Sequence, residues 1–420
     1  MSRRISVSAL SRIEGEGGLQ IRFDAKGRVT RAKFNIYEAP RFFESFLLGR
    51  SYFEAPDLTA RICGICPVAY QMSCVQAMEQ ALGLSLDEQL RTLRRLLYCG
   101  EWMESHALHV FMLHAPDFLG YKDAFEMAGN HPEMVRLGLK LKKLGNRLLA
   151  CVGGREIHPV NVRVGGFFRT PLKSELQALR EDFLRAVEDV QRAVRWIAGF
   201  PFPEYSRKYV FVSLGHPDEY PILRGQVQSS GKESIAVPDF ERWVKEHQVA
   251  HSTALHSEFR GRENYLLGPM ARFNLCRSQL TPLCREAARQ AGIGQGTANP
   301  FQSILIRAIE ILYACEEALR IIDVYERPEQ PFVEIEPREG SGYGCSEAPR
   351  GLLYHGYNLD DAGTITWANI IPPTSQNQRA IEQDLREVAE ANAGLEPGKL
   401  RLLIEQTVRN YDPCISCSTH

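Results

Sequence analysis

The sequence predicts an α+β fold, mainly helical, in which a central bundle of long helices carries a small β-sheet at its N-terminus. Two patterns point to it. Residues 5–37 alternate apolar and polar side chains at the period of a strand, with Ala25-Lys26-Gly27 as a turn between 19–23 and 29–37. Beyond them apolar residues return at helical spacing, as at Leu176, Leu179, Phe183, Val187, Val190 and Val194, with Arg and Glu between. Residues 90–113 and 304–321 also favour helix. In the second of these, Ile304, Ile311, Cys315 and Leu319 fall near one stripe and the opposite face is only partly polar, as in a buried bundle. The Gly- and Pro-bearing stretches 153–169, 337–351 and 370–374 read as structured loops between helices. No repeat or low-complexity linker divides the chain, so residues 1–420 read as one unit, with a β region at 1–37.

Composition narrows the function. A chain of 420 residues with 44% hydrophobic side chains can bury a large core. Its 50 Lys+Arg and 51 Asp+Glu nearly cancel, which removes any broad electrostatic argument for nucleic acid or an anionic membrane. Residues 1–10 lack the apolar stretch of a secretory signal, and no segment approaches the ~20 apolar residues of a transmembrane helix. Eleven cysteines spread over this length do not resemble a secreted disulfide scaffold, and a reducing, cytoplasmic setting is expected.

Two cysteine pairs, Cys63-Gly-Ile-Cys66 and Cys414-Ile-Ser-Cys417, are the strongest local signals. A two-residue gap lets both sulfurs of a pair turn toward one ion. Thiolates are soft ligands suited to zinc, iron-sulfur chemistry or nickel, and the spacing does not choose among them. A structural zinc site, separate core cysteines and an active metal centre all remain open on the pairs alone. The other cysteines, Cys74, Cys99, Cys151, Cys276, Cys284, Cys315 and Cys345, form no second closely spaced set and read as core. His106, His109 and His114 flank an apolar segment without a His-Glu-x-x-His arrangement, and a core role is expected for them ahead of one in a proton pathway.

The flanking strings decide between these readings. Arg12-Ile13-Glu14-Gly15, Arg41-Phe42-Phe43-Glu44 and Arg61-Ile62-Cys63-Gly64-Ile65-Cys66-Pro67 stand in that order near the N-terminus. Gly153-Gly154-Arg155-Glu156-Ile157-His158-Pro159, Val164-Gly165-Gly166-Phe167 and Ala348-Pro349-Arg350-Gly351 follow, and Asp412-Pro413-Cys414-Ile415-Ser416-Cys417-Ser418-Thr419-His420 ends the chain. Together they resemble the large, catalytic subunit of nickel-iron hydrogenases, over nearly the whole chain.

That resemblance implies a nickel held by all four cysteines, with Cys63 and Cys414 terminal and Cys66 and Cys417 bridging to an iron that carries carbon monoxide and two cyanides. It makes residues 400–420 a metal-binding tail. It casts Cys414 as the base that takes a proton from dihydrogen and Glu14 as the next carrier. Arg350, in the segment with Pro349, would stand over the metal pair near the cyanides; Asp412 would orient it, and Thr374 would donate to a cyanide. Glu44, His420 and the backbone carbonyl near Ile370 would hold magnesium or another divalent cation.

The string Cys66-Pro67-Val68-Ala69-Tyr70 looks like the cytoplasmic, bidirectional NAD(P)-linked group, whereas respiratory members often place histidine where this chain has Glu16 and Tyr70. The implied activity is reversible oxidation of dihydrogen to protons and electrons. The implied partners are an iron-sulfur small subunit and flavin and iron-sulfur subunits that pass electrons to NADP or NAD, because this chain lacks a nicotinamide-binding Gly-x-Gly-x-x-Gly turn. Arg61 and the Gly-rich segments near 153–166 are candidate contacts with the small subunit. Sulfur or polysulfide reduction by the same complex is the alternative; a zinc-stabilised assembly protein is the non-enzymatic one.

Overall fold

The computed structural model describes residues 3–261 and 264–420. Strands β1 (Arg4–Val7), β2 (Gly17–Phe23) and β3 (Val29–Ile36) form an antiparallel sheet in that order, as the alternation predicts. Register pairs Ile5 with Ile21 and Leu19 with Phe34, so the apolar residues share the buried face. Arg22 and Arg31 face solvent.

Five long helices make the bundle: α1 (Pro67–Ala81), α2 (Glu88–Ala107), α3 (Pro132–Gly153), α4 (Lys173–Ala198) and α5 (Ser303–Val324). Helix α2 starts where Asp87 Oδ1 accepts from the Leu90 amide at 2.7 Å, satisfying one donor of the open first turn. It continues into a π-helical turn, Leu108–His114, so the helix expected over residues 90–113 changes pitch near its end. Helix α5 is buried almost all round, which explains its weak amphipathic pattern. At its centre, Glu310 takes two bonds from Arg272, at 2.8 and 2.7 Å, and one from His106 at 2.9 Å. Arg272 also reaches Glu347 at 2.9 Å. Such a network stabilises only while complete; leaving one buried charge unpaired costs ~3–5 kcal/mol.

Four further sheets among the described residues were not legible, and two of them frame the site. A hairpin of β4 (Val244–Val249) and β5 (Ser252–Phe259) packs beside the N-terminal sheet. Strands β6 (Gly340–Ala348), β7 (Gly351–Leu359) and β8 (Ile365–Ile371) form a second antiparallel sheet across the stretches 337–351 and 370–374, which the sequence presents as loops. The cause of that error is close packing. Helix α1 lies on β6, and a Cβ at Gly342 or Gly344 would fall 1.9 Å from the Ala77 carbonyl oxygen or 2.2 Å from that of Ser73. These glycines admit a helix backbone rather than make turns. Helix α6 (Pro373–Ala391) follows β8 and lies against β3 and β5, and α7 (Pro397–Arg409) leads into the tail.

Candidate metal centre

Each cysteine pair sits where a loop turns into a helix. Cys66 precedes α1, whose first residue is Pro67, and Cys63 Sγ accepts from the amides of Ile65 and Cys66 at 3.3 and 3.4 Å. The amides of Val68 and Ala69 donate to the buried carboxylate of Glu101 at 2.6 and 3.1 Å, fixing the first turn beside Cys66. At the other end, Cys414 precedes a short helix, Ile415–Ser418, and is tied to Glu14 by a parallel bridge in which the Ile415 amide donates to the Glu14 carbonyl at 3.1 Å. The Thr374 hydroxyl, in the first turn of α6, accepts from the Cys414 amide at 3.1 Å.

These loops bring all four sulfurs together in the interior. Cys63 and Cys414 lie 3.3 Å apart, Cys66 and Cys417 3.3 Å, and Cys414 and Cys417 3.0 Å, with no disulfide among them. The spacing is too long for an S–S bond and suits ligands converging on one ion. Protons tell the same story. Hydrogen bonds from Cys414, Cys417 and Cys66 hold the Cys63 thiol well below its usual range, while burial pushes Cys414 well above. Four thiolates this close together in a dry site require added positive charge. The donor set therefore fits a soft, multiply charged metal group.

Around the sulfurs stand most of the residues expected there. Cys414 Sγ lies 3.0 Å from Glu14 Oε2, which also accepts from the Ser416 amide at 3.0 Å; the Ser416 hydroxyl donates to Oε1. Arg350 is buried, with Nε donating to the Asp412 carbonyl at 2.8 Å, Nη2 to its carboxylate at 3.2 Å and Nη1 to Ser105 Oγ at 3.3 Å. Burial opposes its charge, but Asp412, Cys414, Cys66 and Cys63 outweigh that effect and keep it protonated. Pro349 is buried next to it, and its carbonyl accepts from Arg272 at 3.1 Å. Ser105 and Glu101 were missed in the sequence because nothing local marks them, and Ser416, although it lies between the two tail cysteines, was given no role because its partner Glu14 is 402 residues away.

Glu44, Ile370 and His420 also converge. Glu44 Oε1 accepts from the Ile370 amide at 2.8 Å, and His420 Nε2 lies 2.9 Å from the Ile370 carbonyl and 3.8 Å from Glu44. His420 Nδ1 meets the Cys417 carbonyl at 2.8 Å, coupling this pocket to the cysteine tail. Glu246, another residue missed in the sequence, faces the same pair. Burial pushes its carboxyl up to about 7, and its Oε1 has no hydrogen-bond partner among the described residues. An oxygen-rich pocket with an unsatisfied carboxylate suits a hard divalent cation. The expected core histidines are buried, His106 on Glu310 and His109 on the Arg409 carbonyl, and His158 joins its loop to the Ala60 carbonyl.

Comparison with known proteins places this arrangement. The family described as nickel-dependent hydrogenase matches residues 41–135 and 283–420, and a pattern described as HoxL-like matches residues 4–39. The alpha subunit of sulfhydrogenase 1 of Pyrococcus furiosus is 33% identical, over 99% of this chain and 97% of its own length. The chain belongs to the nickel-dependent hydrogenase family. The alpha subunit of sulfhydrogenase 2 from the same organism is 36% identical over 99% of this chain and 98% of its own length. The crystal structure of an NAD+-reducing [NiFe]-hydrogenase in the H2-reduced state superposes with a TM-score of 0.90 at 28% identity, covering 100% of this chain and 99% of that one. The fold is that of the hydrogenase large subunit, and the chain is an oxidoreductase subunit built for a nickel-iron centre. Among the described residues of this hydrogenase subunit, no helix is long and apolar enough to cross a membrane.

Proposed function

We propose that this hydrogenase subunit oxidises dihydrogen reversibly, with Cys63 and Cys414 as terminal nickel ligands and Cys66 and Cys417 shared with iron. The observation that carries the assignment is the contact between Cys414 Sγ and Glu14 Oε2 at 3.0 Å, at the edge of four converging sulfurs. When bound, the nickel-iron group, whose iron carries carbon monoxide and two cyanides, supplies the Lewis acidity that makes dihydrogen acidic. Cys414 takes the proton, and Glu14, half-buried between the tail and solvent, receives it and passes it outward. Arg350, fixed by Asp412, directs its guanidinium toward developing negative charge, with Pro349 shaping the wall beside it. Thr374 holds the Cys414 backbone and keeps a hydroxyl proton free for a cyanide. Glu44, His420 and the Ile370 carbonyl hold magnesium or a similar cation that fixes the tail, and residues 1–420 act as one catalytic unit.

Electrons leave to an iron-sulfur small subunit. Phe53, Ile157, Val160 and Phe168 are exposed aromatic and aliphatic side chains, and Arg163 packs over both rings of the Phe53–Phe168 pair; this apolar face is offered as its docking surface. The likeness to the NAD+-reducing enzyme supports delivery of the electrons to NAD; in this reading flavin and iron-sulfur partners in the cytoplasm carry them there, with NADP as the other acceptor. Infrared spectroscopy of the purified complex tests the assignment. Carbon monoxide and cyanide bands that shift on adding hydrogen, with one nickel per large subunit and iron in excess of nickel because of the iron-sulfur partners, are expected. Zinc in place of nickel, with no such bands, would overturn it.

A further inference from the structure

We infer that His251, His256 and Glu382 form a second metal site, separate from the cysteine cluster and suited to a borderline divalent cation such as zinc. His251 lies in the turn between β4 and β5, His256 on β5, and Glu382 on α6. Their ligand atoms all lie within 4.8 Å of one another. His251 Nε2 is 2.6 Å from Glu382 Oε1, and the two imidazole rings meet edge to face at 5.4 Å.

An ordinary ion pair accounts for His251 and Glu382 but not for His256. That residue is 2% exposed, and its Nε2 has no hydrogen-bond partner among the described residues. A dry imidazole nitrogen left unpaired is costly, and coordination is one way to satisfy it. Burial also pushes the ring down to about 4, so it is neutral and keeps a lone pair at neutral pH. Two imidazoles and one carboxylate make a three-ligand zinc set whose fourth position goes to water.

The surroundings orient the carboxylate. Lys33 Nζ stands 3.3 Å from Glu382 Oε2, and the Phe34 amide donates to Oε1 at 3.0 Å. These contacts leave Oε1 turned toward the histidines, as outer partners do for metal-ligating carboxylates. Lys33 and Arg379 are the positive charges that a bound cation must tolerate. A cation here joins the β4–β5 hairpin to α6, and through Phe34 to β3. Helix α6 is the one whose first turn supports Cys414.

Equilibrium dialysis of the nickel- and iron-loaded complex against zinc(II), with all three metals measured, tests the site. One zinc per chain is expected beyond the nickel-iron centre, with X-ray absorption showing imidazole ligation. His256→Gln and, separately, His251→Gln should each weaken zinc binding at least about tenfold, leaving nickel and iron content unchanged. His251 occupies a partly exposed turn, so its replacement remains informative if the buried His256 variant misfolds. Failure to retain zinc, or equal retention in wild type and in the folded variants, would overturn the inference.

Discussion

Replacing Glu14 by Gln separates proton traffic from metal retention. In the native protein Glu14 Oε2 faces Cys414 Sγ at 3.0 Å and the Ser416 amide at 3.0 Å, while Oε1 takes the Ser416 hydroxyl. An amide of the same shape keeps one accepting oxygen for the Ser416 amide but cannot take up the thiol proton. Loss of a positioned proton acceptor lowers rates by ~10²–10⁴-fold, or roughly 3–5 kcal/mol of barrier. The disturbed hydrogen bonds cost about 1–3 kcal/mol, a smaller effect than unseating a tail that four cysteines anchor. Hydrogen–deuterium exchange by mass spectrometry, hydrogen-driven dye reduction and nickel and iron analysis should therefore diverge: exchange and turnover collapse while both metals stay. Glu14→Asp withdraws the carboxyl by roughly 1.5 Å and should give an intermediate rate. A Glu14→Gln enzyme with full metal content and wild-type exchange would refute the assignment of Glu14 as the first carrier.

Three further outcomes rest on the fold. Glu310→Gln leaves Arg272 buried with half its charge partners, and should cost ~3–5 kcal/mol in a urea titration; a loss below ~1 kcal/mol would show that Glu347 alone suffices. Gly342→Ala places a methyl 1.9 Å from the Ala77 carbonyl oxygen, so α1 must move off β6; soluble protein with normal melting and metal content would contradict that packing. His106 is fully buried, and burial pushes its imidazole from 6.5 down to about 4. Between those values the unfolded chain binds a proton that the folded chain does not. The contribution of His106, up to roughly 3 kcal/mol, is thus intact above pH ~6.5 and lost as pH falls toward ~4. His106→Gln should flatten the acid limb of stability against pH, and parallel limbs in variant and wild type would disprove it.

Local pattern was enough to read some elements and not others. The N-terminal sheet and helices α2 and α4 were legible because one face of each is apolar at its own period, and α5 because its apolar run is long enough for a buried helix. The sheet β6–β8 was not, since Gly340, Gly342 and Gly344 are local turn signals whose purpose is set by a helix more than 250 residues earlier. The cysteine pairs were visible as ligands by spacing, but their convergence was not, nor was the choice of metal; that came from the strings flanking them. Glu246 carried no local mark at all, because its place beside Glu44 and His420 exists only after the β4–β5 hairpin folds over the tail.

The bridge between Glu14 and Cys414 has a bearing on biosynthesis. Cys63 and Cys414 are 351 residues apart in sequence, as are Cys66 and Cys417, so the pairs meet through loop closures as long as almost the whole polypeptide. A ribosome that has made the first pair holds only half of the ligand set for several hundred codons, during which the helices can pack around a two-sulfur claw open on one side. The C-terminal residues complete the set only by reaching back across the fold to the first pair. A polypeptide that stops short of Cys414 keeps only two of the four sulfurs, so hydrogen turnover itself certifies that translation reached the tail.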